Sequence, residues 1–291
     1  MQSLTTADGE PLHVREWAVP AAHGTVLVVH GLGEHIGRYQ QLAADLNDQG
    51  WNVTGFDLRG HGASAGGRGE IADADSLPDD LGRVLRQLRL LRTGPVVLFG
   101  HSLGGLLVAR FVAEGLSPQP AAWSAPVDAL VMSSPALDAG LSGAQRLLLA
   151  VLGRLAPDLA VGNGLDPADL SHDPQVVADY RADPLVHSRV TPRLVRFIVD
   201  AGRVVAAAAP HWRVPTLLQY AGADRCVAPA GSTAFAAAAP AAVVRTIRYD
   251  ALAHEIYNEP ERGQVLADLN RWLAALVPQL LDQPIAEGAR A

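Results

Sequence analysis

The sequence predicts an α/β fold: a doubly wound, mostly parallel sheet with an inserted helical cap. Three observations carry this. Short apolar runs without polar alternation recur along the chain, as expected of strands buried on both faces. Helical segments lie between most of them, and strand–helix alternation is the signature of a parallel sheet with helices on both sides. The alternation then fails once, between about residues 136 and 210.

Taken in order, the predicted strands are LHVREWAV (12–19), TVLVVHG (25–31), NVTGFDL (52–58), PVVLFGHS (95–102), ALVMSSP (129–135), PTLLQYAG (215–222) and VVRTIRY (243–249). Predicted helices fall on YQQLAADLNDQG, LPDDLGRVLRQLRLLR, LVARFVAEGL and ERGQVLADLNRWLAAL. Gly50 ends the first of these as a C-cap would, because a residue without a Cβ turns left-handed at little cost. No internal repeat is present. The exceptional stretch holds two amphipathic helices, GAQRLLLAVLGRL and TPRLVRFIVDAGRVVAAA, around a polar middle rich in Asp and Pro, with no strand evident. A helical insertion after a sheet strand reads as a cap over the strand ends, where open α/β sheets bind ligands. The expected domains are therefore a core of 1–135 plus 211–291 and a cap of 136–210.

Composition removes several classes of function. The formal net charge is −7, and no basic stripe interleaved with aromatics is present, so nucleic acid is not an expected partner. All 23 basic residues are arginine. Without lysine there is neither a Walker A loop nor Schiff-base chemistry. One cysteine, Cys226, excludes an internal disulfide and fits a reducing compartment. The first twenty residues show no secretory leader, and Arg154 and Asp158 interrupt the most apolar stretch before it could span a membrane. The expected location is cytoplasmic.

Chemistry enters at VVLFGHSLGGLL (96–107). A buried strand runs into Gly100-His101-Ser102-Leu103-Gly104, and apolar residues at helical spacing follow. This is G-x-S-x-G in a strand–turn–helix context, the nucleophile elbow, where a strained turn lifts the serine hydroxyl above the sheet edge. An ordinary Gly-rich turn would not require that context.

A serine hydroxyl needs a base to take its proton, and the base needs a carboxylate to fix its tautomer. In this fold the chain order is Ser, Asp or Glu, then His. Downstream, Asp224 lies just past the strand PTLLQYAG, and His254 lies between the last strand and the last helix. The rivals fit less well. His101 adjoins the serine but is directed the wrong way along the elbow; His172, His187 and His211 lie in or beside the cap; Asp250 ends the same strand that precedes His254. The expected oxyanion donors are the backbone N–H groups of Leu103, after the nucleophile, and Leu32, in the loop after an early strand.

Two imitations fail on single residues. Gly31, Gly33 and Gly37 with Asp57 resemble a dinucleotide fingerprint, but Ile36 stands where the third glycine belongs. HEIYN resembles a zinc helix, but Asn258 replaces the second histidine. No His/Cys cluster has ligand spacing, so neither a metal nor another cofactor is expected.

With these residues assembled, HGLGEHIGRY (30–39), FDLRGHGASAGGRG (56–69), GHSLGG (100–105) and HEIYNEPER (254–262) resemble the monoacylglycerol lipase and lysophospholipase-like branch of the α/β-hydrolases; ADPLV (182–186) and AGADRCV (221–227) agree. The resemblance implies an α/β-hydrolase fold, a Ser-His-Asp esterase and a mobile apolar cap, with monoacylglycerols or lysolipids as substrates. Leu147, Leu148, Val151, Leu152, Leu155, Phe197 and Ile198 are expected to include the lining of an acyl tunnel. Cap contact with a membrane or micelle surface is a further expectation. A broad small-ester carboxylesterase, a lactonase or a peptidase would use the same triad. A non-catalytic binding protein on this fold would normally lack a triad member, and none is missing here. The sequence does not give the oligomeric state.

Overall fold

A computed structural model describes residues 4–281. Seven strands form the central sheet: β1 (Val14–Trp17), β2 (Thr25–Val29), β3 (Asn52–Phe56), β4 (Val96–His101), β5 (Ala129–Ser133), β6 (Thr216–Ala221) and β7 (Val244–Tyr249). Their spatial order is β7-β6-β5-β4-β2-β3-β1. All neighbours are parallel except β1, which runs antiparallel to β3 at the edge.

The unalternating runs have a simple physical cause. In β2, β4, β5 and β6 every residue is buried. Successive side chains point to opposite faces, and both faces are covered. Thus Val96 and Leu98 enter one apolar layer with α2 (Ser76–Leu91) and α3 (Leu103–Gly115), while Val97 and Phe99 enter another with α1 (Gln40–Asp48) and α8 (Arg262–Leu281). The edge strand β7 has the mixed burial of a half-covered strand. Among the described residues, no helix is long and apolar enough to cross a membrane.

Between β5 and β6 the chain forms α4 (Gly143–Leu155), α5 (Pro174–Ala182) and α6 (Pro192–Ala208). Each start is written in the sequence. Ser142 and Gln145 make a reciprocal capping box on α4, while Asp173 before Pro174 and Thr191 before Pro192 cap α5 and α6 through their side chains. The insert is not purely helical, as the sequence had suggested: Val161–Gly162 pairs antiparallel with Arg189–Val190. A pairing of two residues is too short to leave a periodic signal. A second such pair joins Leu4–Thr5 to Pro11–Leu12. Nor does the sequence mark α7 (Pro229–Ala238), whose PAGSTAFAAA has little contrast between its faces.

The insert's helices sit differently. The α6 residues Leu194, Phe197, Ala201 and Val205 are buried in the same layer as α3. On α4 no residue is buried.

Candidate active site

Ser102 stands between the end of β4 and the start of α3 with φ 54° and ψ −118°, in the left-handed half of backbone space. For a residue with a Cβ that conformation costs about 1–3 kcal/mol. Three hydrogen bonds hold it: Ser102 N–H donates to the Ser133 carbonyl at 3.0 Å, and the Ser102 carbonyl accepts from Leu106 N–H and Ala136 N–H, each at 3.0 Å. The flanking glycines are needed for close approach. A Cβ on Gly100 would run into the Gly104 backbone, and one on Gly104 into the Val29 carbonyl. The turn therefore packs directly on β2.

Asp224 lies in the loop between β6 and α7. Its Oδ1 accepts from Cys226 N–H at 2.8 Å and Val227 N–H at 2.9 Å, and its Oδ2 faces His254 Nδ1 at 2.7 Å. The two side chains are 2% and 4% exposed. With a carboxylate on Nδ1, the neutral imidazole carries its proton there and presents Nε2 as an acceptor. The His254 ring also packs on His101, centroid to centroid 4.7 Å. His101 thus lies closer to the site than expected, but its Nδ1 meets Ser133 Oγ at 3.1 Å. Burial first, and the neighbouring His254 second, push its pKa down to about 4, so His101 is a neutral packing partner at neutral pH.

The other rivals are engaged elsewhere. Asp250 is 83% exposed and pairs with Arg248. His172 meets Glu259, and the His187 ring lies 4.7 Å from that of His61. Asp57 is buried and spends both oxygens on backbone, accepting from Ile36 N–H at 2.7 Å and Ala63 N–H at 2.8 Å. It has no oxygen turned out to hold a ribose, which removes the remaining basis for a dinucleotide site.

The Leu32 and Leu103 N–H groups have no hydrogen-bond partner among the described residues. The loop that carries Leu32 is held by a network for which local sequence spacing gave no signal. Glu34 Oε1 accepts from Gly31 N–H at 2.6 Å and Tyr39 O–H at 2.7 Å, while Oε2 accepts from Arg38 at 2.6 Å. Arg38 also forks onto Glu255 at 2.6 and 2.8 Å, with its guanidinium 4.8 Å from the Tyr180 ring centre. Burial works against the Glu34 charge, but Arg38, with His101, His30 and the Tyr39 hydroxyl, outweighs it and the carboxyl is held at about 2. Arg38 and Glu255 are 217 positions apart, so local spacing gave no signal for the pair. His35 meets Asp183 of the insert at 2.8 Å, a second tie between core and insert.

Among the described residues one group could hold a metal ion: Asp224, Cys226 and His254, whose donor atoms lie within 4.8 Å of one another. Spacing had hidden this cluster. Two of its donors are already joined by the 2.7 Å bond. The Cys226 thiol is pushed well above its ordinary pKa by burial and by Asp224, so it stays protonated.

The residues expected to line an acyl tunnel are not gathered along one wall. Phe197 is 5% exposed within the core layer, and Ile198 packs against that layer. Leu147, Leu148, Val151 and Leu155 face solvent, and Leu152 is half-buried. The face of α6 that carries Phe197 packs on α3.

Fold and turn together define an α/β-hydrolase. Residues 20–261 match the family model described as Serine aminopeptidase, S33, and the chain belongs to that family. It is 35% identical over 257 residues to a monoacylglycerol lipase of Mycolicibacterium smegmatis, covering 87% of this chain and 88% of that protein. The crystal structure of Paleococcus ferrophilus monoacylglycerol lipase superimposes with a TM-score of 0.80 at 34% identity, covering 91% of this chain and 99% of that one. An abhydrolase domain-containing protein of Dictyostelium discoideum is 29% identical over 282 residues, but the chain spans only 29% of its length.

Proposed function

We propose that this protein hydrolyses carboxylic esters of glycerol bearing a single medium or long acyl chain, through an acyl-enzyme. Ser102 Oγ attacks the ester carbonyl while His254 Nε2 takes its proton, and Asp224 stabilises the imidazolium that forms. The Leu32 and Leu103 N–H groups hold the oxyanion of the tetrahedral intermediate. Collapse of that intermediate expels glycerol, protonated by His254. Water then attacks the acyl-enzyme with His254 again as base, which releases the fatty acid and restores Ser102.

One observation carries the reading: a dry carboxylate–imidazole pair at 2.7 Å, its ring packed on the residue beside a serine held at positive φ. The relatives named as monoacylglycerol lipases support the substrate class. The core (1–135 and 211–291) supplies the chemistry and the insert (136–210) selects the ester. The exposed Leu147, Leu148, Val151 and Leu155 give α4 an apolar face suited to transient contact with the membrane or micelle that holds the substrate.

The test is a chain-length series of monoesters below their micellar concentrations. Each buried methylene contributes about 0.8 kcal/mol, so kcat/KM should rise several-fold with each pair of carbons from butyryl toward lauroyl. An optimum at acetyl or butyryl would contradict the reading. The family description favours a peptidase as second reading. Turnover of an aminoacyl amide that exceeds that of the matching ester would establish it.

A further inference from the structure

Glu259 is a buried carboxylate outside the constellation just described, 1% exposed and in the loop that leads from His254 into α8. It accepts four hydrogen bonds. Oε1 takes Ser171 Oγ–H and His172 N–H, each at 2.6 Å; Oε2 takes His172 Nδ1–H at 2.6 Å and Ala253 N–H at 2.9 Å. Three of these donors belong to the insert. The fourth is the backbone N–H of Ala253, the residue before His254.

Neighbouring bonds run the same way. Glu255 N–H donates to the Leu170 carbonyl at 2.8 Å, and Ser171 Oγ also lies 3.0 Å from the Asn258 carbonyl. One residue earlier in the insert, the Asp169 carbonyl lies 3.7 Å from Cys226 Sγ, two positions after Asp224. Insert residues 169–172 therefore touch the loops that carry both the acid and the base.

From this geometry we infer that Glu259 is a positioning residue for His254, and that the docked insert segment 171–172 helps hold the base in place. The inference rests on the triad reading above. A buried carboxylate with four donors is a stiff joint, since moving any donor leaves a buried charge short of a partner. Its donors offset the burial that opposes its charge, so the carboxyl stays below its ordinary range and accepts at both oxygens. Glu259 reaches no substrate. It acts through the Ala253 peptide, and a displacement of the base by about 1 Å can cost on the order of 10² in rate.

Two variants test this. Glu259→Gln keeps the size but turns an NH2 toward Ala253 N–H or toward the insert donors, so a donor meets a donor. His172→Ala removes one partner from the outside; its side chain is 60% exposed, so loss of the ring leaves the core intact. With a butyryl ester, Glu259→Gln should lower kcat by about 10²-fold with KM within threefold of wild type. His172→Ala should lower kcat by roughly fivefold, also without a KM change. Fluorophosphonate labelling of Ser102 should slow by matching factors. A merely structural tie would lower the melting temperature and leave kcat per folded molecule unchanged. Folded variants that keep kcat within twofold overturn the inference; if Glu259→Gln does not fold, His172→Ala decides alone. Retained activity in His254→Ala would bring down the triad reading as well, whereas an inactive His254→Ala beside unimpaired Glu259 and His172 variants would bring down this inference only.

Discussion

Helices α4 and α6 carry apolar residues at the same helical spacing and put them to opposite uses. On α6, Leu194, Phe197, Ala201 and Val205 close onto α3, the helix that begins at the strained serine. On α4, Leu147, Leu148, Val151 and Leu155 stand in solvent, with Leu155 80% exposed. Periodicity says that a helix has an apolar face; what the face meets is decided by tertiary contacts. The same contrast separates the site from the insert. At the site the Ser102 backbone is held by three hydrogen bonds and the Asp224–His254 pair is joined at 2.7 Å, whereas the outer insert offers an exposed apolar surface. The proposed function gives chemistry to the first region and choice of substrate to the second.

The largest effect that could break this division lies at the core. Ser102→Ala should reduce kcat by about 10⁴ to 10⁶ while leaving the fold intact, and further triad changes should add little to that loss. Next comes the carboxylate. Asp224→Asn should cost about 10⁴ in kcat because the imidazole loses the partner that fixes its tautomer, whereas Asp250→Asn should be near neutral. The reverse ranking in the same kinetic assay would move the acid to the wrong loop.

Stability measurements sharpen the contrast between the two helices. Phe197→Ala should destabilise the protein by about 3–5 kcal/mol in a denaturant melt, as a cavity beside α3 would. Leu148→Ala should stay within about 0.5 kcal/mol. Equal losses would mean that α4 is packed in solution. A smaller effect concerns the network beneath the Leu32 loop. The Glu34 carboxyl is held at about 2 against an ordinary value of 4.5, so its charged form favours the folded state. That stabilisation is complete above about pH 4.5 and drains away as pH falls toward 2. Glu34→Gln should therefore flatten this part of an acid-unfolding profile, and an unchanged slope there would contradict it.

Strands and turn were legible because their signals are local. Burial on both faces makes TVLVV and VVLF unalternating, and Gly100 and Gly104 mark a place where strand, turn and helix pack too closely for a side chain. Asp224 and His254 could be placed because chain order restricts the choice. What stayed hidden was assembled over long sequence distances: Arg38 with Glu255, His35 with Asp183, and Glu259 with the Ser171–His172 segment. Most of these residues lie in stretches that carry the family resemblance, but their partners are far away in sequence and only folding joins them. The α4 leucines were legible as a face but not as an exposed one, because nothing in GAQRLLLAVLGRL says that α3 is already covered by α6.

In the proposed function the nucleophile is Ser102, held at positive φ next to His101, whose ring packs on His254. The most direct test is to treat the folded protein with a fluorophosphonate and locate the adduct by peptide mass spectrometry, with Ser102→Ala and His254→Ala in parallel. One adduct on Ser102 is predicted, lost in the first variant and slowed by orders of magnitude in the second. An adduct on another residue, or labelling that persists in Ser102→Ala, would rule out Ser102 as the nucleophile.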